Sequence, residues 1–292
     1  MPEASRGPVA DAVIIAAGRG TRMRPATRVV PKEFLLNYDR PLLHNAIDEA
    51  VAAGCTRVTI VTSDRSRPFL ERYFAPLDEE EARDPRMAGL AALREQVSVT
   101  WVEQPEAKGT GNATLYAREA VGDRPFLLML PDMVFTPPTP GANLVRTFER
   151  LGGSVISVTE VGPEYFDGWG MVDGEDVEPG VRRLRGILEK PGASYPHPSG
   201  LGINGRYVLT PGIFDMVEEV QRRGILQKGE VNLTDAMVLL AEREPFFALV
   251  HQGPFYDSGL APGVLAAAVA TAIRDPEHGE AIRADLRAIL EA

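Results

Sequence analysis

The chain has 292 residues, 44% hydrophobic and 25% charged, enough to bury one large core. A formal net charge of -10 argues against nucleic acid or an anionic membrane as partner, because both need a positive face. Cys55 is the single cysteine, which excludes an internal disulfide framework, and MPEASRGPVAD at the N-terminus has no apolar h-region, so a cytoplasmic protein is expected.

The first half alternates between strand and helix signals. Residues 11–16 (DAVIIA) form a short apolar strand run, and 41–53 read as a helix stopped by Gly54, a good residue to follow a helix end. Residues 57–62 (RVTIVT) are a second strand, followed by helix to about Phe74 and by a charged, proline-broken excursion over 76–95. A third strand over 97–103, a helix over 110–120 and a fourth strand over 125–130 complete the pattern. Apolar strands alternating with helices predict an open, mostly parallel α/β sheet covered on both faces. Ligands in such sheets sit beyond the carboxyl ends of the strands, which brings together the loops 17–31, 104–111 and 131–134. The second half is less regular: strands over 154–159, 184–188 and 205–209, helices over about 211–223 and 234–243, and an alanine-rich helical stretch from Gly259 broken near Pro276. One continuous α/β body with a second lobe is expected, with no independent second domain. The histidines His44, His197, His251 and His278 are scattered, so no His/Cys metal spacing exists, while a hard cation held by carboxylates stays open.

Between Ala16 and Phe34 the acidic chain gathers Arg19, Arg22, Arg24, Arg28 and Lys32, with no acid before Glu33. Three explanations compete for this stretch. A P-loop would need G-x-x-x-x-G-K-[ST], which is missing. A dinucleotide fingerprint would need a third glycine where Met23 stands. An ordinary strand-to-helix turn with solvated arginines fits the spacing. Phosphate chemistry fits it as well: glycines after a strand let backbone N–H groups approach a phosphate, Thr21 adds a hydroxyl, Arg22 a planar fork and Lys32 a point charge. A nucleoside triphosphate carries about four negative charges and an attacking phosphate about two more, so cations must lie between them.

G-x-G-T-R-M-x-P followed by P-K-E, at Gly18–Pro25 and Pro31–Glu33, resembles the signature of sugar-1-phosphate nucleotidyltransferases. Further blocks follow in that family's order: VEQPEAKGTGNA at 102–113, LPD at 130–132, WGMVD at 169–173, LEKP at 188–191, GRYVLTP at 205–211, EVNLTDA at 230–236 and YDSG at 256–259. The resemblance runs from about Val13 to about Ala267 and is nearest to the family's bacterial uridylyl-transferring members. It implies a Rossmann-like nucleotidyltransferase fold with a smaller sugar-binding lobe, read as one domain over 1–292. Within it, about 9–135 would be the nucleotide half, about 136–258 the sugar half and about 259–292 a helical segment. The implied reaction is attack by a sugar-1-phosphate, glucose-1-phosphate in the first instance, on the α-phosphorus of UTP. Another sugar-1-phosphate or dTTP is the nearest alternative.

Residue by residue, the resemblance implies that Arg22 holds the triphosphate, Lys32 bridges phosphates at the reacting centre and Lys190 grips the sugar phosphate. On spacing alone Lys190 reads rather as a surface residue capping a turn, and the resemblance reverses that reading. Asp132, at the end of an apolar strand, and the distant Asp257 would hold Mg²⁺, although Asp132 could also cap the next segment. The nucleotide would meet Ala17, Gly18, Gly20, Thr21, Gln104, Lys108 and Gly109, with Ala17, Gly18, Gln104 and Gly109 at the base and Lys108 near the phosphates; a carboxamide such as Gln104 can match the donor–acceptor edge of uracil or thymine. The sugar would meet Gly170, Glu189 and Asn204. The chain departs from the family's uridylyl-transferring pattern at Asn204, at Asn112 and at Leu36-Asn37-Tyr38, and Asn204 is either a new sugar contact or neutral drift. A non-catalytic nucleotide-sugar sensor should have lost phosphate or metal residues, yet Arg22, Lys32, Asp132, Lys190 and Asp257 are all present. A dehydrogenase is the remaining alternative, and a homo-oligomer, dimer or tetramer, is the expected assembly.

Overall fold

The computed structural model describes residues 7–291. Strand β1 (Asp11–Ile15) leads into a loop of three single 3-10 turns, the short ladder of β2 (Leu36–Asn37) and β3 (Arg40–Pro41), and helix α1 (Leu42–Ala52). Then come β4 (Arg57–Thr62), α2 (Arg67–Tyr73), α3 (Ala88–Gln96), β5 (Ser98–Glu103), α4 (Thr110–Leu115), α5 (Arg118–Val121), β6 (Phe126–Met129) and β7 (Met133–Phe135). The expected single helix over 110–120 is thus two short ones. Thr114 Oγ1 donates back to Thr110 O at 2.8 Å, a local competitor with helix bonding that bends helices.

The second half contains α6 (Pro140–Leu151), β8 (Ser154–Val161), β9 (Gly170–Glu178), β10 (Val181–Glu189), β11 (Gly200–Leu209), α7 (Gly212–Arg222), α8 (Leu233–Ala241), β12 (Phe246–Val250), β13 (Phe255–Asp257), α9 (Ala261–Ala272) and α10 (Gly279–Glu291). Strands β7, β9, β12 and β13 escaped the sequence pattern. In β9 the run GMVDGEDVE is half exposed and acidic, so its β-periodicity is hidden by charge.

Nine strands form one mixed sheet in the order β5-β4-β1-β6-β11-β8-β12-β10-β9. Its first four strands are all parallel, and the second half is mainly antiparallel. The apolar run of β1 is explained by burial on both faces. Val13 and Ile15 pack with Phe126 and Leu128 on one side, whereas Ala12 and Ile14 pack with Leu127 and Met129 on the other. Strand β11 joins the halves, pairing antiparallel with β6 and β8 and partly with β9. Among the described residues, no helix is long and apolar enough to cross a membrane.

Candidate active site

The three loops expected to converge do so. A cleft of about 640 Å³ is lined by Ala17, Gly18, Arg19, Gly20, Thr21 and Arg22 after β1, by Gln104 and Gly109 after β5, and by Asp132 after β6. The opposite wall supplies Trp169, Gly170, Glu189 and Lys190, and Asp257 stands beside Asp132. An adjoining recess of about 790 Å³ shares Gly18, Arg22, Asp132, Glu189 and Lys190 and adds Lys32. This size suits a nucleotide-sized ligand.

In the glycine loop, a Cβ on Gly18 would meet nothing within 4 Å, so its backbone faces open cleft. Gly20 takes a left-handed φ of 60° at the entrance to the first 3-10 turn. Among the described residues, the N–H groups of Gly18, Arg19 and Gly20 donate to no protein acceptor. The loop therefore offers backbone donors as well as side-chain cations. Arg19 also lines the cleft, whereas Arg24 and Arg28 are exposed outside it.

Antiparallel pairing of β7 with β13 places Asp257 beside Met133, and Ser258 N donates to Asp132 O at 2.7 Å. Two carboxylates 125 positions apart are thereby brought to one place, something spacing could not show. Asp132 Oδ2 accepts from Lys32 Nζ at 2.6 Å, and Arg22 Nη1 lies 4.0 Å from Asp257 Oδ2. Burial pushes the Asp132 carboxyl up, but the Lys32 ammonium outweighs it and holds the group below the ordinary carboxylate range. Gly259 leaves a gap here. The position of a Cβ on it would lie 2.7 Å from Arg22 Nη2, 2.8 Å from Asp257 Oδ1 and 3.0 Å from Asp132 Oδ2. Two carboxylate oxygens facing one small gap are a donor set suited to a hard divalent cation whose remaining ligands come from substrate or water.

Support beneath Asp132 comes from a pair that sequence reasoning missed. Arg206 on β11 and Glu49 on α1 are buried, 2.9 Å apart. Arg206 Nε and Nη2 donate to Glu49 Oε2, Nη1 donates to Leu130 O and Gly205 O, and Nη2 also donates to Met133 O. All five N–H groups are used, and the guanidinium lies 5.0 Å from the Phe135 ring centroid. The carbonyls on either side of Asp132 are therefore fixed from below. The available signal was Glu49 itself, an acid on the helix face that buries Leu42, Ala46, Ile47 and Ala50.

On the side expected to meet the base, Gln104 is buried and its Nε2 donates to Asn112 Oδ1 at 2.8 Å, so Asn112 holds the carboxamide. Gly109 has φ +98°, and a Cβ there would lie 2.4 Å from Val231 O. Val231 N donates to Lys108 O and Gly111 N donates to Val231 O, each at 2.9 Å, which sews the base loop to the segment before α8. Lys108 contributes only its carbonyl: its side chain is exposed, pairs with Glu106 at 2.8 Å and does not line the cleft. That corrects its expected place near the phosphates.

On the side expected to meet the sugar, Glu189 Oε1 meets Lys190 Nζ at 2.9 Å, while the buried Glu189 Oε2 has no partner among the described residues. A Cβ on Gly170 would come within 3.0 Å of that oxygen, so Gly170 keeps the space beside it open. Asn204 is a second correction. Ile203 and Gly205 line the cleft, but Asn204 is fully buried and its Nδ2 donates to Thr159 Oγ1 at 2.8 Å. The alternation of β11 turns it to the opposite face. The departure from the family pattern at this position is thus a core matter.

Comparison with known proteins shows the family. The family model described as nucleotidyl transferase matches residues 11–271. A UTP–glucose-1-phosphate uridylyltransferase of Bacillus subtilis is 36% identical over 277 residues, 92% of this chain and 93% of the relative. A UDP-glucose pyrophosphorylase solved with UDP-glucose superposes with a TM-score of 0.82 at 30% identity, over 91% of this chain and 100% of its own. A UTP-bound enzyme of the same type from Acinetobacter baumannii gives 0.81 at 30% identity, over 97% and 99%. With matches spanning nearly its whole length, the chain belongs to the nucleotidyl transferase family and, within it, to the UTP–glucose-1-phosphate uridylyltransferases.

Proposed function

We propose that the chain transfers the uridylyl group of UTP to glucose-1-phosphate, giving UDP-glucose and pyrophosphate. A sugar-phosphate oxygen bonds to the α-phosphorus as the bond from that phosphorus to the α–β bridging oxygen breaks. The electron pair leaves with pyrophosphate, so no covalent protein intermediate is required. Catalysis then rests on alignment and on neutralising charge.

The observation that carries this assignment is the convergence of Asp132, Asp257 and Arg22 on the gap left by Gly259. Enzymes of this family generally use a divalent metal. Here Asp132 and Asp257 would hold Mg²⁺, which when bound supplies positive charge to the reacting phosphates. Arg22 and the glycine-loop amides grip the triphosphate, and Lys32, released from Asp132, bridges phosphate oxygens. Lys190 meets the sugar phosphate, and Glu189 accepts from sugar hydroxyls through its unpartnered oxygen. Gln104, held by Asn112, reads the pyrimidine edge. The proposed division remains a nucleotide half over about 9–135, a sugar half over about 136–258 and a helical segment beyond. Exposed Leu265, Ile289 and Leu290 on α9 and α10 support the proposed homo-oligomer, which light scattering tests.

A panel of nucleoside triphosphates against sugar-1-phosphates, read by pyrophosphate release, tests the assignment. Highest turnover is expected with UTP and glucose-1-phosphate. Turnover confined to ATP or GTP would refute the pyrimidine assignment, and faster turnover with dTTP or another sugar would replace the substrate named here.

A further inference from the structure

The chain contains 27 arginines and only four lysines: Lys32, Lys108, Lys190 and Lys228. Surface cations in this protein are therefore arginines by default. Every lysine nevertheless falls in a segment that lines or adjoins the cleft. Three of them have a carboxylate partner within 3 Å: Asp132 for Lys32, Glu106 for Lys108 and Glu189 for Lys190. Among the described residues, Lys228 has no carboxylate within 4.0 Å of its ammonium.

Lys228 also occupies costly backbone. Gln227 and Glu230 exchange two backbone hydrogen bonds at 3.0 Å, so Lys228 and Gly229 are the central pair of a two-residue reverse turn. Their φ values are +54° and +81°. Positive φ at both central positions defines the turn that favours Asn, Asp or Gly at the first of them, because a Cβ crowds the neighbouring carbonyl. Only three non-glycine residues have positive φ among those described, and two are the cleft lysines Lys190 and Lys228. The turn is firmly seated. Gln227 Nε2 donates to Asp235 Oδ1 at 3.1 Å, and Val231 next to the turn is sewn to Lys108 and Gly111.

Lys228 lines both the cleft and its recess, in company with Glu189, Lys190 and Gly18. Its turn lines the same cleft as Glu189, at the proposed sugar end, and as Gly109 and Thr110 of the proposed base loop. Phosphates joining a sugar to a nucleoside must pass between those two ends. A compact ammonium without an acid partner, held there on strained backbone, has the chemistry to bind a phosphate oxygen.

We propose that Lys228 is a substrate-contacting cation that binds a phosphate oxygen from the wall formed by the Gln227–Glu230 turn. This inference rests on the proposed reaction, and the phosphate belongs either to the sugar side or to the nucleoside triphosphate. Lys228→Asn and Lys228→Gly remove the charge while suiting the turn, so both variants should melt at or above the wild-type temperature. Calorimetric titration of the full chain with UDP-glucose and with UTP separates the two sources. A loss of about 10-fold in affinity for UDP-glucose alone assigns the contact to the sugar-side phosphate, and a like loss for both ligands assigns it to the nucleoside phosphates they share. A loss confined to UTP assigns it to the triphosphate tail. In either case the loss should shrink as salt is raised, and Lys228→Arg should recover part of it. Affinities within twofold of wild type for both ligands would overturn the proposal and leave Lys228 a strained surface residue. Absence of wild-type turnover across the substrate panel would overturn the parent reaction instead, because the titrations do not depend on turnover.

Discussion

The two walls of the cleft are built on opposite plans. The wall after β1 and β6 is electrostatically closed: Lys32 sits on Asp132, Arg22 approaches Asp257, and Arg206 with Glu49 fixes the carbonyls beneath. The opposite wall is left partly open: Glu189 pairs with Lys190 through one oxygen and keeps the other buried and unpartnered, and Lys190 and Lys228 stand on left-handed backbone. Pre-paired charges avoid the desolvation cost of isolated ions while they wait for phosphates. An orphan carboxylate oxygen bears that cost until a hydroxyl arrives. The first wall thus suits ligands that bring charge, and the second adds to its cations a carboxylate oxygen that suits a hydroxyl group.

The largest effect should come from breaking the support of the first wall. Arg206→Met leaves Glu49 buried without its partner and should cost about 3–5 kcal/mol in urea unfolding. Adding Glu49→Gln should recover part of that loss, since the stranded charge disappears. Asp132→Asn should lower pyrophosphate release about 100- to 1,000-fold at saturating Mg²⁺ while the melting temperature holds. Wild-type turnover in that variant would remove Asp132 from the mechanism.

On the second wall, Glu189→Gln should raise KM for the sugar phosphate about 10-fold and leave KM for UTP nearly unchanged. Equal rises for both substrates would erase the distinction between the walls. A control lies at the far end of β1, where buried Asp11 meets Arg57 at 2.7 Å and Arg124 at 2.8 Å. Burial raises its pKa, but the two guanidiniums prevail and hold it below the ordinary carboxylate value. Its contribution to stability is therefore present above that value and lost as pH falls through the depressed one. Asp11→Asn should cost about 1 kcal/mol at pH 7, a difference from wild type that fades in acid, with kcat unchanged. Smallest of all, Asn112→Ala should raise KM for UTP about threefold by releasing Gln104.

The two walls also differed in how legible they were in the sequence. The glycine loop and Asp132 could be placed because parallel strands buried on both faces end together, and their loops carry the ligand. Asp257 could be paired with Asp132 only through resemblance, since a three-residue ladder between β7 and β13 leaves no periodic trace. In β11 both faces are buried, so polarity no longer distinguishes cleft from core. Asn204 therefore looked like a sugar contact, and Arg206, on the same inward face, went unnoticed. Lys108 was misplaced because its K-G-x-G setting fixes the backbone, while the side chain turns outward to Glu106.

The bonds that sew Val231 between Lys108 and Gly111 have a consequence for altering substrate range. Two backbone hydrogen bonds tie the segment proposed to read the base to the segment before α8, with Gly109 leaving no room for a bulkier link. If the proposed roles of these segments hold, a change to one should disturb the other. Grafting residues 104–111 from a relative with another base would carry the turn at Lys228 along with it, so a switch in base choice should be designed together with residues 227–232.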